Sequence, residues 1–167
     1  MLFQYVLWEQ AMASSVRLVA GIDTSSKAVH MVVLNVRGEL QLTVKWEGTA
    51  KDSDERMHEI FSDMFDDIGL KELSFVAIEK PIYIQNPLST VMLSKVVGVT
   101  QMMMWFHGIK YTLVGNTSWK KDILGNGRAN KAEILAWAEN DSEQIFEEQD
   151  FADAYCIAKY AVKHFPK

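Results

Sequence analysis

The chain has 167 residues, a length typical of one domain, and 49% of them are hydrophobic, enough to bury a core. Its net charge of −5 speaks against a generic nucleic-acid binder, which needs Lys and Arg against phosphates, although residues 110–131 gather Lys110, Lys120, Lys121, Arg128 and Lys131 against the lone acid Asp122 and so form a local basic surface. A single cysteine, Cys156, excludes an intramolecular disulfide and a four-thiolate zinc site, and the four histidines (His30, His58, His107, His164) form no metal-binding pattern, so they read as ordinary surface or core residues.

Residues 1–15 read as an N-terminal extension ahead of one domain spanning 16–167; they lack the basic flank of a signal peptide, and no apolar run reaches the roughly 18 residues that span a bilayer. VRLVAGID (16–23), AVHMVVLNV (28–36) and LQLTVKWEG (40–48) predict three antiparallel strands, with RGE turning between the last two. SDERMHEIFSDMFDDIGL (53–70) carries Met57, Ile60, Phe61, Met64, Phe65 and Ile68 at helical spacing, with capping expected over Ser53–Arg56 and a stop at Gly69. LSFVAIEK (73–80) predicts a buried strand closed by Pro81, and a long apolar helix follows, with Asn86 as N-cap, Pro87 in its first turn and Gly108 at its end. A strand at 109–115, a short helix at 116–125, a helix at 129–140 and a last helix at 149–164 complete a mixed α/β sheet with helices on both faces.

Which acids carry chemistry is decided by where a charge is costly. Asp23 closes one apolar strand and Glu79 another, so their carboxylates converge if those strands are neighbours. In DFADAY (150–155), Asp150 and Asp153 stand three apart on the last helix; acids so spaced are usually a solvated face, but two like charges on adjacent helical positions repel unless a cation sits between them. Four carboxylates suit a pair of hard, oxygen-seeking Mg²⁺ ions, the arrangement used for in-line phosphodiester hydrolysis.

GID (21–23), IEK (78–80), WKKDILGNGRANKAEI (119–134) and DFADAYCIA (150–158) together resemble, in order and spacing, the motifs of RuvC-type Holliday-junction resolvases of the RNase H-like superfamily, in a viral or otherwise divergent member. The resemblance implies an RNase H-like fold and a homodimer, paired through helix 87–108, that nicks two symmetric strands of a four-way DNA junction. It implies a metal site of Asp23, Glu79, Asp150 and Asp153 holding two Mg²⁺, with Mn²⁺ as substitute, and places Lys120 and Lys131 near the scissile phosphate. Lys121 and Arg128 join the DNA-binding set. The aromatic that wedges into the junction in bacterial enzymes falls here at Ile82, with Tyr83 beside it as a residue that can stack on a base. The first acid is followed by Thr24 and Ser25 where a proline and glycine are common, and Glu79 by Lys80 and Pro81 where a Gln is common. A cytoplasmic or nucleoid-associated location is expected, with an organellar one as the alternative, and no membrane partner. Two other readings are a ribonuclease H or broader branched-DNA and flap nuclease, and a catalytically silent module that only binds DNA or protein.

Overall fold

The computed structural model describes residues 17–67, 70, 72–81 and 86–166. The expectations placed on residues 1–15, Gly69, Ile82 and Tyr83 lie outside these described residues.

The elements run β1 (Leu18–Thr24), β2 (Ala28–Asn35), β3 (Leu40–Glu47), α1 (Ser53–Asp66), β4 (Leu73–Glu79), α2 (Pro87–Phe106), β5 (Lys110–Val114), α3 (Asn116–Leu124), α4 (Lys131–Ser142) and α5 (Gln149–His164). The strands form one sheet in the order β3-β2-β1-β4-β5. The first three pair antiparallel, whereas β4 runs parallel to β1 and β5 parallel to β4. Every residue of β2 is buried, as befits a strand covered on both faces, and edge strand β3 alternates instead. The expected RNase H-like mixed sheet is present.

Because side chains alternate along a strand, each strand feeds two cores. Ile22, Met31 and Val44 pack beneath Ile60 and Met64 of α1 and Val97 and Met104 of α2. On the other face Val19, Val32 and Ala77 meet Trp119 of α3, Ile134 of α4 and Ala154 and Ala158 of α5. The same alternation sends His30, Asp23 and Glu79 to the α5 side. It also separates the charges: the acid-rich stretch at 52–67 lies on α1, across the sheet from the lysines of α3.

Local chemistry sets the boundaries. Asp52, rather than Ser53, caps α1, its carboxylate accepting from the backbone N–H groups of Asp54 and Glu55. Asn86 caps α2 with Pro87 in the first turn, and Asn130 and Glu133 form a reciprocal capping box that starts α4 at Lys131 and not at 129. In the β1–β2 turn the Ser25 hydroxyl accepts from the N–H groups of Lys27 and Ala28, so DTSS is a working turn despite lacking glycine.

Gly21 decides how closely α5 lies on β1. A Cβ there would stand 2.1 Å from the Ala158 nitrogen and 2.3 Å from the Ala154 carbonyl oxygen, both backbone atoms that cannot rotate away. Gly21→Ala must therefore lift α5 off the sheet, at a cost of about 3 kcal/mol or more. A melting temperature lowered by roughly 6–12 °C is expected in a thermal melt.

Candidate active site

Ile22 of β1 pairs with Ile78 of β4, so the next residues, Asp23 and Glu79, emerge side by side at the carboxyl ends of two parallel strands. With α5 held against Gly21, Asp150 and Asp153 come down on the same spot from one helical face. Oxygens of Asp23, Asp150 and Asp153 lie within 4.8 Å of one another. Glu79 adjoins this trio from the β4 side, near enough for its side chain to act on the Asp23 carboxyl. All four acids expected from the sequence are thus brought together.

Their electrostatics are those of a cluster short of positive charge. Burial raises the Asp23 carboxyl well above its usual range, and the charges of Glu79 and Asp153 add to it. Asp153 is pushed up to about 6, first by burial and then by Glu79, while the Gln149 amide and Lys120 pull partly the other way. Half-buried oxygen donors of like sign that converge in this way fit a hard divalent ion.

Since these folded-state values lie above the ordinary 3.8, the folded protein holds the protons more tightly than the unfolded chain. That stabilisation is complete below the unfolded value and is lost as pH rises through about 6 for Asp153. The metal-free melting temperature is accordingly expected to fall as pH rises from about 4 through about 6. Mg²⁺ or Mn²⁺ should restore it at pH 8 and do much less at pH 5, where protons occupy the same oxygens; differential scanning fluorimetry reads both.

Each ligand candidate has protein neighbours. Glu79 Oε1 accepts hydrogen bonds from Asn116 Nδ2 at 2.5 Å and from Trp119 Nε1 at 3.1 Å. Lys120, half-buried, lies with Nζ 5.5 Å from the centroid of the Trp119 ring, and its charge is felt at Asp153. Lys121, Arg128 and Lys131 are exposed along α3, the following turn and the start of α4. Cys156 is buried in α5, where desolvation raises its thiol and leaves it unreactive.

His30 is a site neighbour that the sequence reading passed over as ordinary. It pairs in register with Asp23, is 2% exposed, and places Nε2 3.2 Å from Glu148 Oε2 and Nδ1 3.8 Å from Asp150 Oδ2. Lys45, its partner on β3, reaches the same Glu148 at 3.0 Å. The alternation of β2, which puts His30 on the same side as Val32 and Leu34, was the available signal. Asn116 and Trp119 were also missed, because nothing local in NTSW says that it starts beside Glu79.

The comparisons agree with this geometry. The profile of the family described as crossover junction endodeoxyribonuclease RuvC matches residues 19–161. No curated protein matches the chain. Among solved structures, it is similar to Thermus thermophilus RuvC in complex with a Holliday junction substrate (TM-score 0.74, 19% identity, 85% of this chain and 90% of that one). A second Thermus thermophilus RuvC structure gives a TM-score of 0.73 at 18% identity over 87% of this chain and 95% of that one. The yeast mitochondrial Holliday junction resolvase Ydc2 gives 0.56 at 12% identity over 95% and 86%. These likenesses carry the fold, and the family match spans nearly all of the described sheet, including all four acids, so the chain belongs to the RuvC family of crossover junction endodeoxyribonucleases.

Proposed function

We propose that the protein resolves four-way DNA junctions by paired symmetric nicks, as a homodimer in which each protomer holds two Mg²⁺ ions among Asp23, Glu79, Asp150 and Asp153. The observation that carries this reading is the convergence of three carboxylate oxygen sets within 4.8 Å, with Glu79 against them. Nucleases of this family use divalent metal ions; the choice of Mg²⁺ rests on the all-oxygen donor set, which suits a hard cation, with Mn²⁺ as substitute. When bound, such a pair activates the attacking water and offsets charge on the leaving 3′-oxygen.

The chain's own residues do the rest. Asp23 and Glu79 sit on a rigid sheet and Asp150 and Asp153 on a helix seated without a gap, so the four are pre-organised. Lys120 stands at the edge of the cluster, where it can meet a phosphate oxygen and the charge that develops there. Lys121, Arg128 and Lys131 extend a basic surface away from it for backbone contacts, which fix the register of the DNA without reading its sequence. The acidic helix α1 across the sheet keeps DNA off the opposite face.

Two copies are needed for two symmetric nicks, and α2 offers the surface. Leu88, Val91, Met102 and Trp105 are exposed at 75%, 53%, 59% and 71%, apolar side chains on one seam of a helix that otherwise packs into the core.

The test is a substrate panel in Mg²⁺: a synthetic four-way junction, a linear duplex, a flap and an RNA/DNA hybrid, each end-labelled so that nick positions are mapped. Symmetric nicks in the junction alone are expected. Preferential cutting of the hybrid would mark a ribonuclease H, and equal cutting of the flap a broader branched-DNA nuclease. Junction binding without any product would mark a silent binding module.

A further inference from the structure

Glu79 is held differently from the other three acids. Its Oε1 takes two donors from one helix, Asn116 Nδ2 at 2.5 Å and Trp119 Nε1 at 3.1 Å. Residues three apart share a helical face, and the start of α3 is fixed beside Glu79 because Val114, the last residue of β5, pairs with Glu79 while its carbonyl accepts from the Lys80 N–H. Trp119 is 1% exposed, and an indole has a single polar hydrogen; buried, it must be spent on a partner, and here the partner is a carboxylate. Charge-assisted bonds of this kind are the stronger ones and fix a rotamer. Both of these donors meet Oε1, so neither of them occupies Oε2.

We infer that Asn116 and Trp119 are positioning residues that clamp one oxygen of Glu79, so that this acid offers the metal site its other oxygen in a fixed direction. The inference rests on the reading of Glu79 as a metal ligand. It also gives α3 a double task. Its buried face aims Glu79 while the adjacent Lys120 and Lys121 turn toward DNA, so one short helix sets the spacing between metal site and phosphate contacts. The indole is the suited donor for this: its hydrogen is rigidly directed by a ring that the core already holds, which a hydroxyl or a lysine would not match.

The test uses the whole protein and two variants, one in the core and one at its edge. Trp119→Phe keeps an aromatic ring and loses the N–H; Asn116→Ala loses the amide at the half-buried start of α3. Mn²⁺ binding without DNA is followed by electron paramagnetic resonance, and junction affinity is measured in Ca²⁺. Each variant is expected to bind Mn²⁺ about tenfold more weakly, and to need about tenfold more Mg²⁺ for half-maximal cleavage. Junction affinity should stay within twofold of the wild type for both, and the metal-free melting temperature within about 3 °C for Asn116→Ala, while the smaller ring of Trp119→Phe lowers it further through the core volume it gives up. A merely structural role would lower the melting temperature and leave Mn²⁺ affinity alone, and that result overturns the inference. Glu79→Gln separates the two levels: if it leaves Mn²⁺ binding intact, Glu79 is no ligand and the underlying reading fails. If Glu79→Gln weakens Mn²⁺ binding and the two clamp variants do not, the clamp alone is refuted.

Discussion

Asp23→Asn and Asp153→Asn are each expected to lower junction cleavage by at least about 1000-fold, equivalent to roughly 4 kcal/mol of transition-state stabilisation, while raising the melting temperature of the metal-free protein at pH 8. The two effects have one cause. Both carboxyls are held above their usual range by burial and by their neighbours' charge, so in the absence of metal each ionised form works against the fold. An amide removes the repelling charge at nearly constant shape. It also removes a donor that a divalent ion needs. Single-turnover cleavage assays and metal-free thermal melts on the same samples read both halves; loss of activity with loss of stability would point instead to misfolding. In Mg²⁺ the order of melting temperatures should reverse, since only the wild type gains from the ion.

Trp105→Glu is expected to turn the proposed dimer into a monomer at micromolar concentration and to abolish paired nicking. The exposed residues of α2 at 88, 91, 102 and 105 fall on one seam, whose middle is occupied by Lys95 and Gly98. Lys95 is paired with Asp54 at 3.4 Å, and a Cβ built at Gly98 meets nothing within 4 Å, so the protomer leaves space at that point of the seam. Phe65 of α1 adds to one end, its ring 5.1 Å from that of Phe106. A glutamate at 105 puts a charge where an apolar anchor would be buried, a change that costs about 2 kcal/mol or more, some 30-fold in affinity. Because the Trp105 side chain is 71% exposed in the protomer, the fold itself should be unaffected. Light scattering coupled to size exclusion gives the mass, and end-labelled junctions show whether nicks still come in pairs.

Much of this site was legible in the sequence, for reasons that can be located. Asp23 and Glu79 end apolar runs, and a charge at that position is either a loop residue or a functional group; two of them narrowed the choice. Their convergence was conditional on β1 and β4 being neighbours, and that depends on pairing that no local pattern encodes. DFADAY was ambiguous for a similar reason. Whether Asp150 and Asp153 face water or the sheet is decided 130 residues away by Gly21, whose missing side chain lets α5 settle on β1. The helix expected from 53 starts there but takes its cap from Asp52, and α4 starts at Lys131 instead of 129 because the cap falls on Asn130; which side chain caps is decided by backbone geometry. His30, Asn116 and Trp119 stayed hidden because their roles exist only across strands or between β4 and α3. The chain-wide charge of −5 was the least informative quantity, since the acids of α1 and the lysines of α3 belong to opposite faces.

The central claim is that two copies of this carboxylate cluster cut one junction together. Its most direct test is cleavage of a cruciform extruded from supercoiled plasmid, in Mg²⁺, with the products resolved as linear and nicked-circular DNA. A first nick releases supercoiling and lets the cruciform collapse, so linear product requires both cuts within the lifetime of one complex. The account predicts linear DNA as the main product of the wild type and none from Asp153→Asn. Nicked circles alone, or intact plasmid despite bound protein, would contradict it.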